Sequence, residues 1–253
     1  MKRRTLAVLS LMLFSAMAVA QEKVRDVGTD PDLYFLHQGD VASSLKLLPP
    51  PPQPGSAQFC YDEAQYRWGK MQRITPRGRQ AFEDAKIYDG GIERAFSEAF
   101  GIEISRAATP EIDKLITKVV NDAGDLSTGE AKQHYMRMRP YLFYGEHSLT
   151  PDDEKNLSTN GSYPSGHTAI GWATALVLTE INPSRQDQIL KRGFEYGQSR
   201  VICGVHYQSD VDAGRVVAAG VVARLHADDG FIQQMAKAKK EFAHLSKQGK
   251  VRK

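Results

Sequence analysis

Apolar residues recur along this chain at helical intervals. Ile112, Leu115, Ile116 and Val119 share one stripe and Val216, Val217, Val221, Val222 and Leu225 another, whereas the strict alternation of a half-buried strand is scarce. Helix starts are marked as well. Thr75-Pro76 and Thr109-Pro110-Glu111 each set a capping residue before a proline at the first helical position, Thr150-Pro151-Asp152-Asp153-Glu154 repeats the device, and Ser127-Thr128-Gly129-Glu130 reads as a capping box. The pattern predicts an all-α fold, a single-domain bundle of roughly eight or more helices over residues 59–247, with no internal repeat. Loops at 145–165 and 90–106 are expected to form its rims.

Three stretches fall outside that pattern. Residues 1–20 combine a basic start, an apolar run from Leu6 to about Ala16 and the small-residue site Ala18-Val19-Ala20, which together read as a cleaved secretory signal. The run is shorter than the ~20 residues that a membrane span needs. No later run reaches that length either, so the mature chain is expected to have no membrane span. Residues 21–58 are irregular and carry Pro49 to Pro52 followed by Gln53-Pro54-Gly55, which predicts an extended arm that either straps the surface or presents a polyproline recognition motif. The Lys-rich stretch from Lys237 reads as a solvated amphipathic helix that frays, with 248–253 as the tail.

Composition narrows the class. The 253 residues hold ordinary apolar and charged fractions, enough for one buried core. Thirty-three Lys and Arg face 30 Asp and Glu. Three of those cations, Lys2, Arg3 and Arg4, precede the first acidic residue, Glu22, and leave with the signal. The remainder is neutral, which argues against a nucleic-acid polymer as partner. Export would place Cys60 and Cys203 in oxidising surroundings, either bridged to each other or with Cys203 buried and free.

Against this neutral background, charge is concentrated around a few motifs. Lys132, six residues, then Arg139-Pro140 form the first; a seven-residue step is close to two helical turns and predicts both cations on one helix side, with Tyr135 nearly in line. Pro164-Ser165-Gly166-His167 form the second. Its Ser and Gly predict a helix N-terminus whose amides point at an anion. Ser199-Arg200, five residues, His206, three residues and Asp210 form the third. On a helix, His206 and Asp210 would stand at i and i+4, so that the carboxylate holds one ring nitrogen and frees the other. Three cations facing two imidazoles suit phosphoryl transfer, in which equatorial oxygens are held and a nitrogen attacks. Tyr135 and Tyr163 either line this pocket or pack. The remaining histidines, His37, His134, His147, His226 and His244, show no metal-ligand spacing, and cations repel a metal ion. Chemistry without a metal or other cofactor is therefore expected.

These three motifs, in this order and at these gaps, resemble the signature of the PAP2 superfamily, which contains the bacterial class A non-specific acid phosphatases, lipid phosphatases and vanadium haloperoxidases. The lead-in Gly161-Ser162-Tyr163 and the run from Gly197 to Gly214 are most similar to the secreted class A phosphatases, including their apyrase-like branch. The resemblance implies a periplasmic or secreted enzyme that hydrolyses phosphomonoesters with an acidic optimum. It implies His206 as nucleophile, Asp210 as its orienting carboxylate and His167 as general acid and base. Lys132, Arg139, Arg200, the Ser165 hydroxyl and the Gly166 amide would hold the phosphate of a small ester or nucleotide. It also implies a homo-oligomer, often a dimer, and a proline run where this chain has one. Many relatives carry a Cys after the Arg-Pro pair, where this chain has Ser148-Leu149-Thr150. Alternative readings are an apyrase-like nucleotide hydrolase, a haloperoxidase holding vanadate on His206, and a phosphate-binding module without turnover.

Overall fold

The computed structural model describes residues 27–252, and the expected signal at 1–20 lies outside them. The described chain is helical, with no strand among the described residues. The elements in order are α1 (Ser44–Leu47), α2 (Ala57–Gln72), α3 (Pro76–Glu83), α4 (Gly91–Phe100), α5 (Pro110–Asp125), α6 (Gly129–Tyr135), α7 (Pro140–Phe143), α8 (Glu154–Leu157), α9 (Gly166–Ile181), α10 (Gln186–Cys203), α11 (Gln208–Leu225) and α12 (Asp229–Lys247). Short 3-10 turns precede α8 and α10.

The all-α expectation holds because the apolar stripes find one another. Ile112, Leu115, Ile116 and Val119 of α5 are fully buried, and so are Val221 and Leu225 of α11, with Val216 left at the surface. Both helices pack on α9, which also meets α10. α9 buries residues on every side, from Thr168 round to Ile181, and so runs through the middle of the bundle. Small residues let its neighbours come close. A Cβ on Gly171 would lie 2.3 Å from the Tyr196 ring, and one on Gly214 would lie 2.7 Å from the Ser165 carbonyl.

Thr75 caps α3 as expected, accepting from the Arg77 amide with Pro76 at the first helical position. Thr109 also stands before Pro110 at the head of α5, but its hydroxyl accepts from the Ser105 amide instead. The capping box expected at Ser127 does not form. Thr128 is the capping position without a side-chain bond, Ser127 Oγ donates back to the Ala123 carbonyl, and the Glu130 carboxylate is taken by the Ser43 hydroxyl. Competing local partners win because Ser and Thr hydroxyls reach carbonyls one turn back as easily as amides ahead. The device at Thr150-Pro151 yields only a 3-10 turn and one turn of α8.

The arm is less irregular than expected, since it contains α1, and α2 begins at Ala57. It is tied down by named bonds. The buried Asp122 carboxylate accepts from the Phe35 and Leu36 amides, Lys118 donates to the Pro31 carbonyl, and Tyr163 Oη donates to the Pro49 carbonyl at 2.8 Å. At the other end, α12 continues to Lys247 before the chain turns. Cys60 is exposed and Cys203 buried, and both are free; the Cys203 thiol donates to the Ala81 carbonyl.

Candidate active site

A cavity of about 400 Å³ opens where α6, the N-terminus of α9 and the α10–α11 junction meet. Lys132, Arg139, Gly166, His167 and His206 all line it. The three motifs are therefore brought together, although two of them arrive by a geometry that spacing did not predict.

Lys132 and Arg139 are not on one helix. α6 ends at Tyr135, Met136 turns left-handed at φ 40°, and Arg139 is extended at φ −73°, ψ 152°. The cause is Pro140, whose ring disfavours helical backbone in the residue before it. The freed Arg137 carbonyl accepts from the Ser162 amide instead. Both cations still converge, because both donate to the Gly161 carbonyl, Lys132 Nζ at 2.8 Å and Arg139 Nη2 at 3.5 Å. Arg139 is 2% exposed and fixed further by the Leu157 and Val205 carbonyls and the Asn160 side chain. Tyr135 does not follow them into the cavity; its ring packs edge-on against Tyr163, which is itself core.

His206 is not on a helix either. α10 closes with Gly204 at φ 77°, the Gly204 amide bonding to the Val201 carbonyl and the Val205 amide to the Arg200 carbonyl. This pairing ends a helix sharply and suits glycine. A Cβ on Gly204 would also meet Arg73 Nη2 at 2.2 Å, where Arg73 covers the last carbonyls of α10. His206 then sits between α10 and α11, while Asp210 lies in the first turn of α11 and accepts from the Tyr207 amide at 2.8 Å. The expected pairing survives this change: His206 Nδ1 is 3.3 Å from Asp210 Oδ2. Arg139 Nη1 stands 3.2 Å from His206 Nε2. A carboxylate on one nitrogen and a donor on the other assign the proton to Nδ1 and a lone pair to Nε2, where Arg139 meets it.

Ser165 caps α9, as its type predicts, and does so with its oxygen as acceptor. Oγ accepts from the Thr168 amide at 3.3 Å and pairs with Thr168 Oγ1 at 2.9 Å, and the residue is fully buried. Both bonds use the oxygen as acceptor, so the cap is compatible with the expectation that the Ser165 hydroxyl donates its proton to a phosphate oxygen. Gly166 does line the cavity. A Cβ there would find Thr128 Oγ1 at 3.8 Å as its nearest neighbour, so protein packing alone does not demand glycine. Close approach by a bound anion would.

His167 Nε2 donates to the Ala85 carbonyl, 3.1 Å away, which leaves Nδ1 for chemistry. Ala85 follows Asp84, and Asp84 is pinned by Arg192 and by the Ser199 hydroxyl. Ser199 of the third motif thus supports the seat of His167. The rim carries Leu157 and Asn160 from the predicted loop at 145–165. The loop predicted at 90–106 is largely α4 and contributes nothing; Ile87 and Tyr88, just before it, line the opening. Asp125 also lines the cavity, its carboxylate bonded to Tyr34 Oη at 2.6 Å.

Crowded cations dominate the electrostatics. Burial, and then the charges of Arg139 and Arg200, push the Lys132 ammonium down to about 7. Burial and Arg200 push Arg139 down to about 10. Both imidazoles are driven well below the usual histidine range, first by burial and then by the guanidinium groups, Arg200 for His167 and Arg139 for His206. Arg200 itself is 1% exposed, and its Nε and Nη1 have no hydrogen-bond partner among the described residues. Donors left in this state are costly, and a polyatomic anion is the natural complement.

Two charged residues that motif spacing did not single out belong to this construction. Arg137 donates to Asp210 Oδ1 at 2.5 Å and to Asp62 Oδ2 at 2.8 Å, and Asp62 in turn accepts from the Ser209 amide and hydroxyl. The alternation Arg137-Met138-Arg139 before a proline is a faint sign of a second inward-facing cation. Nothing near Asp62 in sequence announces it.

This cavity of cations and two imidazoles, carried on a helical bundle, belongs to a chain with known relatives. A model of the PAP2 superfamily matches residues 116–231, which include all three motifs. The non-specific acid phosphatase of Providencia stuartii is 58% identical over 222 residues, covering 88% of this chain and 90% of that protein. That of Salmonella typhimurium is 44% identical over 202 residues, 80% of this chain and 81% of the other. The acid phosphatase of Zymomonas mobilis is 32% identical over 236 residues, 93% and 88% of the two chains. The chain belongs to the PAP2 superfamily. Within it, the chain stands with the bacterial class A non-specific acid phosphatases.

Proposed function

We propose that this chain hydrolyses phosphomonoesters through a phosphohistidine on His206, acting after export from the cytoplasm. The reading rests chiefly on one observation: the His206 imidazole, backed by Asp210 at Nδ1, shares one cavity with the His167 imidazole and with Lys132 and Arg139. The relatives' names favour monoesters over the apyrase-like and haloperoxidase alternatives. Export is supported by the sequence pattern of residues 1–20 and agrees with there being no helix, among the described residues, long and apolar enough to cross a membrane.

In the proposed cycle Lys132, Arg139, Arg200 and the Gly166 amide hold the non-bridging oxygens. His206 Nε2 attacks phosphorus in line; the P–N bond forms as the bond to the leaving oxygen breaks, and His167 gives that oxygen its proton. Asp210 offsets the positive charge that the ring acquires. His167, now neutral, takes a proton from water, whose oxygen displaces His206 and releases inorganic phosphate. Both histidines return to their starting states.

A reason for an acidic optimum follows. His167 must be protonated to act as acid, yet burial and Arg200 hold it well below the usual histidine range in the free site. Activity at low substrate concentration therefore falls as pH rises through that low value. Bound phosphate offsets the guanidinium charges and raises the group. The basic limb of kcat is thus expected at higher pH than the basic limb of kcat/KM, measured on one substrate. Coincident limbs, or the reverse order, would contradict the assignment. The covalent step is tested directly by quenching after brief exposure to a labelled phosphomonoester and mapping the label by mass spectrometry. Label on His206 supports the reading, and label elsewhere or none at any quench time defeats it.

A further inference from the structure

The Asp210 carboxylate that holds His206 is shared with a second partner. One oxygen faces the imidazole; the other takes Arg137 Nη1 at 2.5 Å. Arg137 is only 8% exposed, its other arm is bonded to Asp62, and its plane lies 4.1 Å from the Tyr207 ring centre. Asp62 and Asp210 are 1% and 0% exposed, so the three form a buried carboxylate–guanidinium–carboxylate row. A fixed cation on the far side of an orienting carboxylate withdraws part of the charge that the carboxylate would otherwise direct at the imidazole.

We propose that Arg137, held in place by Asp62, is a positioning residue that tunes the basicity of the His206 nucleophile through Asp210. The inference rests on the reading of His206 as nucleophile. An aspartate bonded to a histidine ordinarily makes the ring more basic, which would protonate and disable a nucleophile working in acid. The groups facing His206 are Asp210 from α11, Arg139 at the head of α7, Lys132 of α6, Arg200 of α10 and His167 of α9. All but Asp210 are cationic or can become so. Arg137 lets Asp210 fix the ring's orientation while moderating the one charged influence that favours protonation, which acts beside a backbone bond to Ser162. Asp62 keeps Arg137 from turning wholly to Asp210, and it clamps the Ser209 amide at the start of α11.

The sign of each change differs, which makes the test sharp. Arg137→Met removes the cation, leaves Asp210 acting on His206 alone, and is expected to move the acidic limb of kcat/KM to higher pH by about one unit or more. Asp62→Asn keeps the shape but removes a negative charge from behind Arg137, and is expected to move the same limb to lower pH. Arg137→Lys is expected to restore most of the wild-type limb. Using one substrate throughout cancels the ionisation of the ester. A merely structural role would lower kcat without moving either limb, and unmoved limbs, or limbs that move the same way in Arg137→Met and Asp62→Asn, overturn the proposal. Should Arg137→Met fail to fold by circular dichroism, Asp62→Asn and Arg137→Lys decide the matter by the same limb. His206→Ala separates the two readings: a variant that still turns over defeats the nucleophile assignment itself, whereas an inactive one with unmoved limbs in the others defeats only the role of Arg137.

Discussion

His206→Ala is expected to lower kcat/KM by several orders of magnitude while the helical signal and the binding of inorganic phosphate persist. The loss follows from chemistry rather than from the fold. His206 contributes no cap and no helix, since it lies between α10 and α11, and the turn that places it is closed by backbone bonds of Gly204 and Val205. The cations that would hold phosphate are seated independently of it. Arg139 keeps its carbonyl and Asn160 partners, and Lys132 keeps the Gly161 carbonyl. Protection against heat by added phosphate should therefore survive in the variant, and no acid-quenched phosphoprotein should form. Turnover within tenfold of wild type would require another nucleophile and would remove the central assignment.

Arg200→Met is expected to give a more stable and far less active protein. Arg200 is buried, and two of its nitrogens lack hydrogen-bond partners among the described residues. Leaving such donors unpaired costs about 1–3 kcal/mol, which an apolar side chain of similar length avoids. A protein of this size gains roughly 2–4 °C in Tm for each kcal/mol. Turnover should fall by about 10²–10³, the usual cost of losing a preorganised donor to a transition-state anion. Phosphate at 100 times its Kd would raise the stability of the wild type by about 2.7 kcal/mol. The same phosphate concentration should stabilise the variant less. Differential scanning calorimetry with and without phosphate reads both effects. A variant that is less stable than wild type without phosphate would mean that Arg200 serves the fold rather than the anion.

The fold class was legible because helical periodicity and proline-led helix starts are local signals, and those at Thr75 and Thr109 mark true starts. Motif order also singled out Lys132, Arg139, Gly166, His167 and His206, and the structure brings these five to one cavity. The geometry of that cavity was not legible. Treating gaps of seven and four as helical steps ignored that the backbone leaves α6 at Met136, ahead of Pro140, and enters α11 only at Gln208, after Gly204 has closed α10. The convergence comes instead from long-range hydrogen bonds, such as those to the Gly161 carbonyl, which leave no trace in spacing. Arg137 and Asp62 were hidden for the same reason, being 75 residues apart. Ser165 shows a local signal at work: its type marked the head of α9, where its oxygen accepts from the Thr168 amide and hydroxyl.

The placement of His206 on a short junction, outside both long helices, has a mechanical consequence. The ring takes its position from the spacing of α9, α10 and α11, and that spacing is gauged by glycines at 171, 193, 197 and 214, where any added Cβ would come within 3 Å of a neighbouring atom. Residues with no side chain at all thus act as the shims that fix where His206 stands.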